Sequence, residues 1–164
     1  MNRRMTIFGI GPILAIISML YLFLTLYLTG RNPLVFEIRF INSRILILLG
    51  SILLIAGILF LIFTLNTFYS KYKEGVLITV GTFSLCRNPI YSSFIVFIIP
   101  AISLLLNSWL SLTTSFFMYI LFKILIRKEY DFLKEKFGEQ YNEYEKQVNE
   151  ILPFPKWLRR RLKS

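Results

Sequence analysis

Histidine is missing from all 164 residues, and cysteine occurs once, at Cys86. Without imidazole there is no zinc-protease motif, no Ser-His-Asp triad and no haem with an axial histidine. One cysteine cannot form an intrachain disulfide. Cys86 reads as a small apolar residue beside a membrane interface rather than as a nucleophile. Charge is the third scarcity. Charged residues make up 17% of the chain, against about 25% in an ordinary soluble domain. They are absent altogether from Thr6–Thr29, Ile45–Ser70 and Asn88–Phe122.

What fills those gaps is apolar: 55% of residues are hydrophobic and mean hydropathy is +0.62. A bilayer crossing takes about 20 apolar residues at ~1.5 Å each. The first two gaps each fit one crossing. The third would be roughly 52 Å long as a straight helix, too long for one. Pro100 and the Asn107-Ser108-Trp109 stretch offer places to turn, so it reads as two helices, about Ser92–Leu106 and Trp109–Ile126. A cleaved signal peptide has a shorter apolar core and a small-x-small cleavage site. Thr6–Thr29 has neither feature and reads as a span. The expected fold is therefore all-α and integral to the membrane, with about four transmembrane helices and an amphipathic, helical C-terminal tail. It forms one domain: two N-terminal spans in residues 1–70, a core in 71–154 and a basic segment in 155–164.

Lys and Arg near span ends set orientation. Arg3 and Arg4 precede the first span, Lys71, Lys73 and Arg87 follow the second, and ten of the 19 basic residues follow the last. Both termini are thus expected in the cytosol, although Arg31, Arg39 and Arg44 then lie outside. The net charge of +10 hugs span ends, as anionic headgroups favour. That points to membrane lipids as partners and away from nucleic acid.

Two segments carry more information. Residues 68–88, FYSKYKEGVLITVGTFSLCRN, form a loop that turns apolar and β-branched after Gly75. Irregular backbone at a membrane survives only when covered by protein or lining a cavity, so this loop is a candidate ligand wall. In the tail, Leu133, Phe137, Tyr141, Tyr144 and Val148 form a helical stripe. The other faces are charged, and Gly138 is a place for the helix to break. The stripe suits either a helix lying on headgroups or a lid over a pocket. Trp157, Arg159–Arg161 and Lys163 suit the interface beyond it. Arg87-Asn88-Pro89-Ile90-Tyr91 opens the third span. Asn88 can cap that helix with Pro89 in its first turn, and a helix start beside Arg87 is equally an anion site. Glu129, next to Arg127 and Lys128, is either a surface ion pair or the counter-ion of a bound cation.

The stretch GVLITVGTFSLCRNPIYSSF, an apolar hairpin, and then KEYDFLKEKFGEQYNEYEKQVNEILPF together resemble the core of isoprenylcysteine carboxyl methyltransferases and their phospholipid-methyltransferase relatives. That pattern is a glycine-containing loop, Arg-His/Asn-Pro-x-Tyr, a hairpin, Glu-Glu, and Phe-Gly-x-x-Tyr-x-x-Tyr. The resemblance covers about residues 68–154. It implies S-adenosylmethionine as cofactor and a lipid-like methyl acceptor, either prenylcysteine carboxylate-like or phospholipid amine-like. It places Asn88, Pro89, Ile90 and Tyr91 at the cofactor, with Gly75, Val76, Leu77, Ile78 and Phe83 wrapping it. Glu129 holds the methionine amino group, and Tyr141 and Tyr144 pack the tail over the site. Arg87 and Glu129 are the expected catalytic pair, with no metal. This chain departs from the pattern at Asn88 (for His), Ser93 (for Gly), Tyr130 (for the second Glu) and Leu125 (for a basic residue). The acceptor is expected to enter sideways, between the third and fourth spans. Two rival readings are a non-catalytic membrane partner and a nicotinamide-dependent membrane reductase.

Overall fold

The computed structural model describes residues 9–154. Arg3, Arg4 and the basic segment with Trp157, Arg159–Arg161 and Lys163 lie outside the described residues. Five principal helices run α1 Gly11–Arg31, α2 Ser43–Tyr72, α3 Pro89–Leu105, α4 Trp109–Leu125 and α5 Arg127–Gln147. Pro12 and Pro89 sit at the starts of α1 and α3, where a missing N–H costs nothing.

The long uncharged segment divides as its sequence suggests, but only at one place. Residues 106–108 make the turn. Asn107 takes φ 53°, which asparagine tolerates better than most residues. The Ser108 hydroxyl accepts the Ser111 N–H at 3.1 Å, capping α4. Pro100 does not turn the chain. Its ring presses toward the carbonyl four residues back, and residues 93–98, just before it, widen into π-helical turns that keep the helix continuous.

α1 and α2 are long and apolar enough to cross a membrane. α3 is shorter, and α4 passes that test only jointly with α5, across a 46° bend. Among the described residues, two helices are long and apolar enough to cross on their own, or three if the bent pair is one span, where the sequence suggests about four. A helix of 17 residues such as α4 reaches only about 26 Å, short of a ~30 Å hydrocarbon layer. α2 has 30 residues and overshoots that layer, carrying Phe68, Tyr69 and Tyr72 out at its end.

α1 lies along α4 and α2 along α3, with α3 against α4 between them. The two connections 32–42 and 106–108 meet at one end, where Ile38 N–H donates to the Asn107 carbonyl and the Trp109 indole N–H donates to the Val35 carbonyl. The opposite end holds the loop and the tail. Leu14, Ile95, Ile99, Met118, Phe122, Ile126 and Ile151 form the main core. Some buried hydroxyls in the helices bond to one another or to the carbonyl four residues back, as Thr29 does with Ser108 at 2.7 Å and with the Thr25 carbonyl at 2.8 Å, so that no donor is left unpaired at those positions; Ser18, Ser92, Thr114 and Ser115 have no such partner among the described residues.

Glycines set how closely α2 approaches α3. A Cβ on Gly57 would lie 2.7 Å from Phe97 Cβ, and one on Gly50 would lie 2.9 Å from Leu105 Cγ. At Gly30 in α1 a Cβ would meet nothing within 4 Å. Gly57→Ala and Gly50→Ala are therefore expected to lower the unfolding temperature in detergent. The overpacking cost of about 1–3 kcal/mol outweighs the ~1 kcal/mol that alanine gains in a helix. Gly30→Ala should hold or raise that temperature. If all three behaved alike, close packing at the two sites would be refuted.

Candidate active site

From Tyr72 the chain leaves α2, turns at Gly75 (φ 67°), runs extended through Leu77 and Ile78, and turns again at Gly81 (φ 61°). Gly81 packs where a Cβ would come within 2.9 Å of Thr67 Oγ1. Thr64 donates its hydroxyl to buried Thr82 at 2.9 Å, tying the loop to α2. The last loop residues pair with the strap that follows α5. Cys86 bridges to Asn149 in parallel. Arg87 N–H donates to the Asn149 carbonyl at 2.8 Å, and Asn88 N–H to the Glu150 carbonyl at 3.1 Å.

The tail completes the cover. Gly138 is non-helical (φ 51°, ψ −125°) and breaks α5. Beyond it Tyr141, Tyr144 and Val148 are buried against Leu77, Tyr130, Leu133 and Phe137. The stripe read from the sequence is thus a contact face on the loop. The Tyr144 hydroxyl donates to the Phe83 carbonyl at 2.6 Å.

Loop, tail and helix ends enclose a cavity of about 780 Å³. Gly75, Val76, Leu77, Ile78 and Phe83 form its loop wall. Arg87, Asn88, Pro89, Ile90 and Tyr91 line it from the start of α3, and Glu129, Tyr141 and Tyr144 from α5. Every site residue expected from the sequence is brought to this one space. Sequence reasoning missed the contribution of α1 and α2: Gly9, Gly11 and Pro12, and Phe68, Tyr69 and Tyr72. The Gly-Ile-Gly-Pro run at 9–12 was the available signal.

Individual environments differ from expectation. Asn88 does not cap α3 with its side chain. Its Nδ2 donates instead to Tyr130 Oη at 2.6 Å and to the Glu150 carbonyl at 3.1 Å. Glu129 is no surface ion pair with Arg127 or Lys128. It is half-buried, and its Oε1 accepts the Ile10 N–H at 2.7 Å, the free amide that precedes α1. Gly9, at φ 47°, makes room: a Cβ there would fall 1.9 Å from that oxygen. Burial holds the Glu129 carboxyl above its ordinary range, and the Ile10 N–H only partly offsets this.

Arg87 is also largely buried. Its Nη1 pairs with Glu145 and donates to Tyr141 Oη at 3.2 Å, and its guanidinium lies 4.9 Å from the Tyr130 ring centre. Burial works against its charge, but the Tyr130 and Tyr141 phenols and the Glu145 carboxylate outweigh that and raise its pKa. Its Nε is buried with no partner among the described residues. Burial pushes the Cys86 thiol up to about 12, so it is an inert core residue.

The phospholipid methyltransferase family profile matches residues 38–140, well over half the chain. The chain belongs to the phospholipid methyltransferase family. Two rice sequences, from Oryza sativa subspecies indica and japonica, are each named probable protein-S-isoprenylcysteine O-methyltransferase. Both are 33% identical over 78 residues, covering 48% of this chain and 41% of theirs. A solved eukaryotic intramembrane Ras methyltransferase, an isoprenylcysteine carboxyl methyltransferase, superposes with a TM-score of 0.59 over 94% of this chain and 54% of that one. At 22% identity that likeness speaks for the fold. The chain covers less than half the length of the rice relatives and about half of the solved protein.

The cavity contains a carboxylate, Glu129, whose ionisation costs folding energy. The folded-state pKa of Glu129 lies above its ordinary 4.5, so between the two values the folded chain holds the proton more tightly. Stability therefore falls as pH rises through that window. Glu129→Gln keeps an oxygen for Ile10 and removes the charge. It is expected to unfold at a higher temperature than the wild type at neutral pH, with the gap closing as pH drops toward 4.5. A wild type more stable than the variant at neutral pH would contradict this.

Proposed function

We propose that this chain transfers a methyl group from S-adenosylmethionine to a lipid-like acceptor in the membrane. The observation that carries the reading is one cavity that joins the Glu129 carboxylate, the Arg87 side chain and an aromatic, apolar rim. Its volume of about 780 Å³ falls in the range of about 300–1,000 Å³ common for cofactor pockets. The residues fit that cofactor. Glu129 would take its amino group and Arg87 its carboxylate. Leu77, Ile78 and Phe83 would face the adenosine. The Tyr91 and Tyr130 rings suit a sulfonium, at roughly 0.5–2 kcal/mol by cation–π attraction. When bound, the cofactor supplies an electrophilic methyl group on a good leaving group, a transfer that calls on the protein for alignment and dryness.

The chain's residues provide both. The tail lies over the loop and keeps water out. The Arg87–Glu145 pair holds loop and tail together from inside. A carboxylate or thiolate acceptor needs no base; an amine acceptor must lose a proton, and Glu129 is the carboxylate available to receive it. The acceptor would enter between α1 and α2. Both helices line the cavity, yet they pack on α4 and α3 and not comparably on each other. The packing of α3 against α4 favours this route over the expected one between the third and fourth spans. The polar cofactor would come from the cytosol, the side to which the basic residues assign this end.

Calorimetric titration of the detergent-purified chain with S-adenosylhomocysteine should show saturable binding. Glu129→Ala combined with Asn88→Ala should weaken it roughly 10- to 100-fold, the loss of a charged hydrogen bond and a neutral one. A well-folded wild type that binds a nicotinamide cofactor instead, or neither ligand, would sink the proposal.

A further inference from the structure

We propose that Glu150 is a positioning residue for the cavity. Through the Tyr130 phenol it fixes the Asn88 amide so that Oδ1 is left to accept a hydrogen bond from a ligand N–H. The identity of that ligand rests on the cofactor reading above; the orientation of the amide does not.

Glu150 lies in the strap after α5, with its side chain only 16% exposed. Its carboxylate accepts the Tyr130 hydroxyl at 3.0 Å and pairs with Lys123 at 2.8 Å. The Tyr130 oxygen in turn accepts Asn88 Nδ2 at 2.6 Å, and the Glu150 carbonyl takes Nδ2 at 3.1 Å. Both amide hydrogens are then committed, and Asn88 Oδ1 keeps no protein partner among the described residues. The direction of this relay depends on the carboxylate. An anionic acceptor takes the phenol hydrogen strongly and polarises the phenol oxygen as an acceptor for Asn88. Without it, the phenol hydrogen is free to point at Asn88, and only the Glu150 main-chain carbonyl still holds Nδ2, so the amide is less firmly fixed. Tyr130 is 42 residues from Asn88 and 20 from Glu150, so three distant positions set the polarity of one side chain of the cavity lining. A ligand that suits Oδ1 offers an N–H: either an amino-acid ammonium or the exocyclic amine of adenine.

The test uses the full chain in detergent with two readouts. Without ligand, the ¹⁵N side-chain amide signal of Asn88, identified by its loss in Asn88→Ala, should move alike in Glu150→Ala and Tyr130→Phe. In Glu150→Gln, which keeps an acceptor, it should stay near the wild-type position. With S-adenosylhomocysteine, Glu150→Ala should weaken binding about tenfold, and adding Tyr130→Phe should weaken it no further. An unmoved amide signal, or additive losses in the double variant, overturns the proposal. If the signal moves as stated but the wild type binds no S-adenosylhomocysteine, the cofactor reading fails and the positioning role stands. S-inosylhomocysteine, which lacks the exocyclic amine, separates the two N–H sources. If wild type prefers S-adenosylhomocysteine and Glu150→Ala loses that preference, Oδ1 reads adenine. If the variant weakens both ligands equally, it reads the ammonium.

Discussion

A chain that leaves one membrane helix at Tyr72 and enters the next at Pro89 exposes a run of backbone donors and acceptors that lipid cannot satisfy. The tail supplies the missing partners. The Asn149 and Glu150 carbonyls take the N–H groups of Arg87 and Asn88, and the Tyr144 hydroxyl reaches the Phe83 carbonyl. Much else follows from this constraint. To bring residue 149 beside residue 86 the tail must fold back over the loop, and Gly138 gives the break in α5 that lets it. Covering the loop without filling the space beneath it leaves the cavity. The strap that closes the backbone account also delivers Glu150, and Ile151 to the main core.

Charge inside this cover is handled in two ways. Arg87 is buried but compensated, by Glu145 and by two phenols, and its interactions join loop to tail. Glu129 is less well served among the described residues, with one backbone N–H and a raised pKa. A buried carboxylate with a single donor is costly in the absence of a cationic partner. Gly9, which makes room for it, ties the cost to the start of α1. A residue kept at such expense on a cavity wall suits a ligand's positive charge better than it suits the fold.

Much of this was legible locally. The uncharged gaps located the helices, Asn107-Ser108 located the hairpin turn, and the spacing of Leu133, Phe137, Tyr141, Tyr144 and Val148 located the tail's contact face. The loop and the Arg-Asn-Pro-Ile-Tyr run located the cavity. What the sequence hid was long-range or subtle. Pro100 is a turn signal overridden by a widened helix. The Asn88 cap lost to partners at Tyr130 and Glu150, which no local pattern links to it. The contribution of Gly9 depends on where Glu129 arrives, 120 residues later. Whether a helix crosses depends on a few ångströms of length that apolarity alone does not set.

The proposed cofactor site is the space between loop, tail and the starts of α1 and α3. Hydrogen–deuterium exchange on the purified chain, with and without S-adenosylhomocysteine, tests it most directly. Ligand-dependent protection is expected in residues 75–91 and 127–144, with none in the middle of α2. Protection elsewhere, or binding that leaves those two segments unchanged, would contradict it.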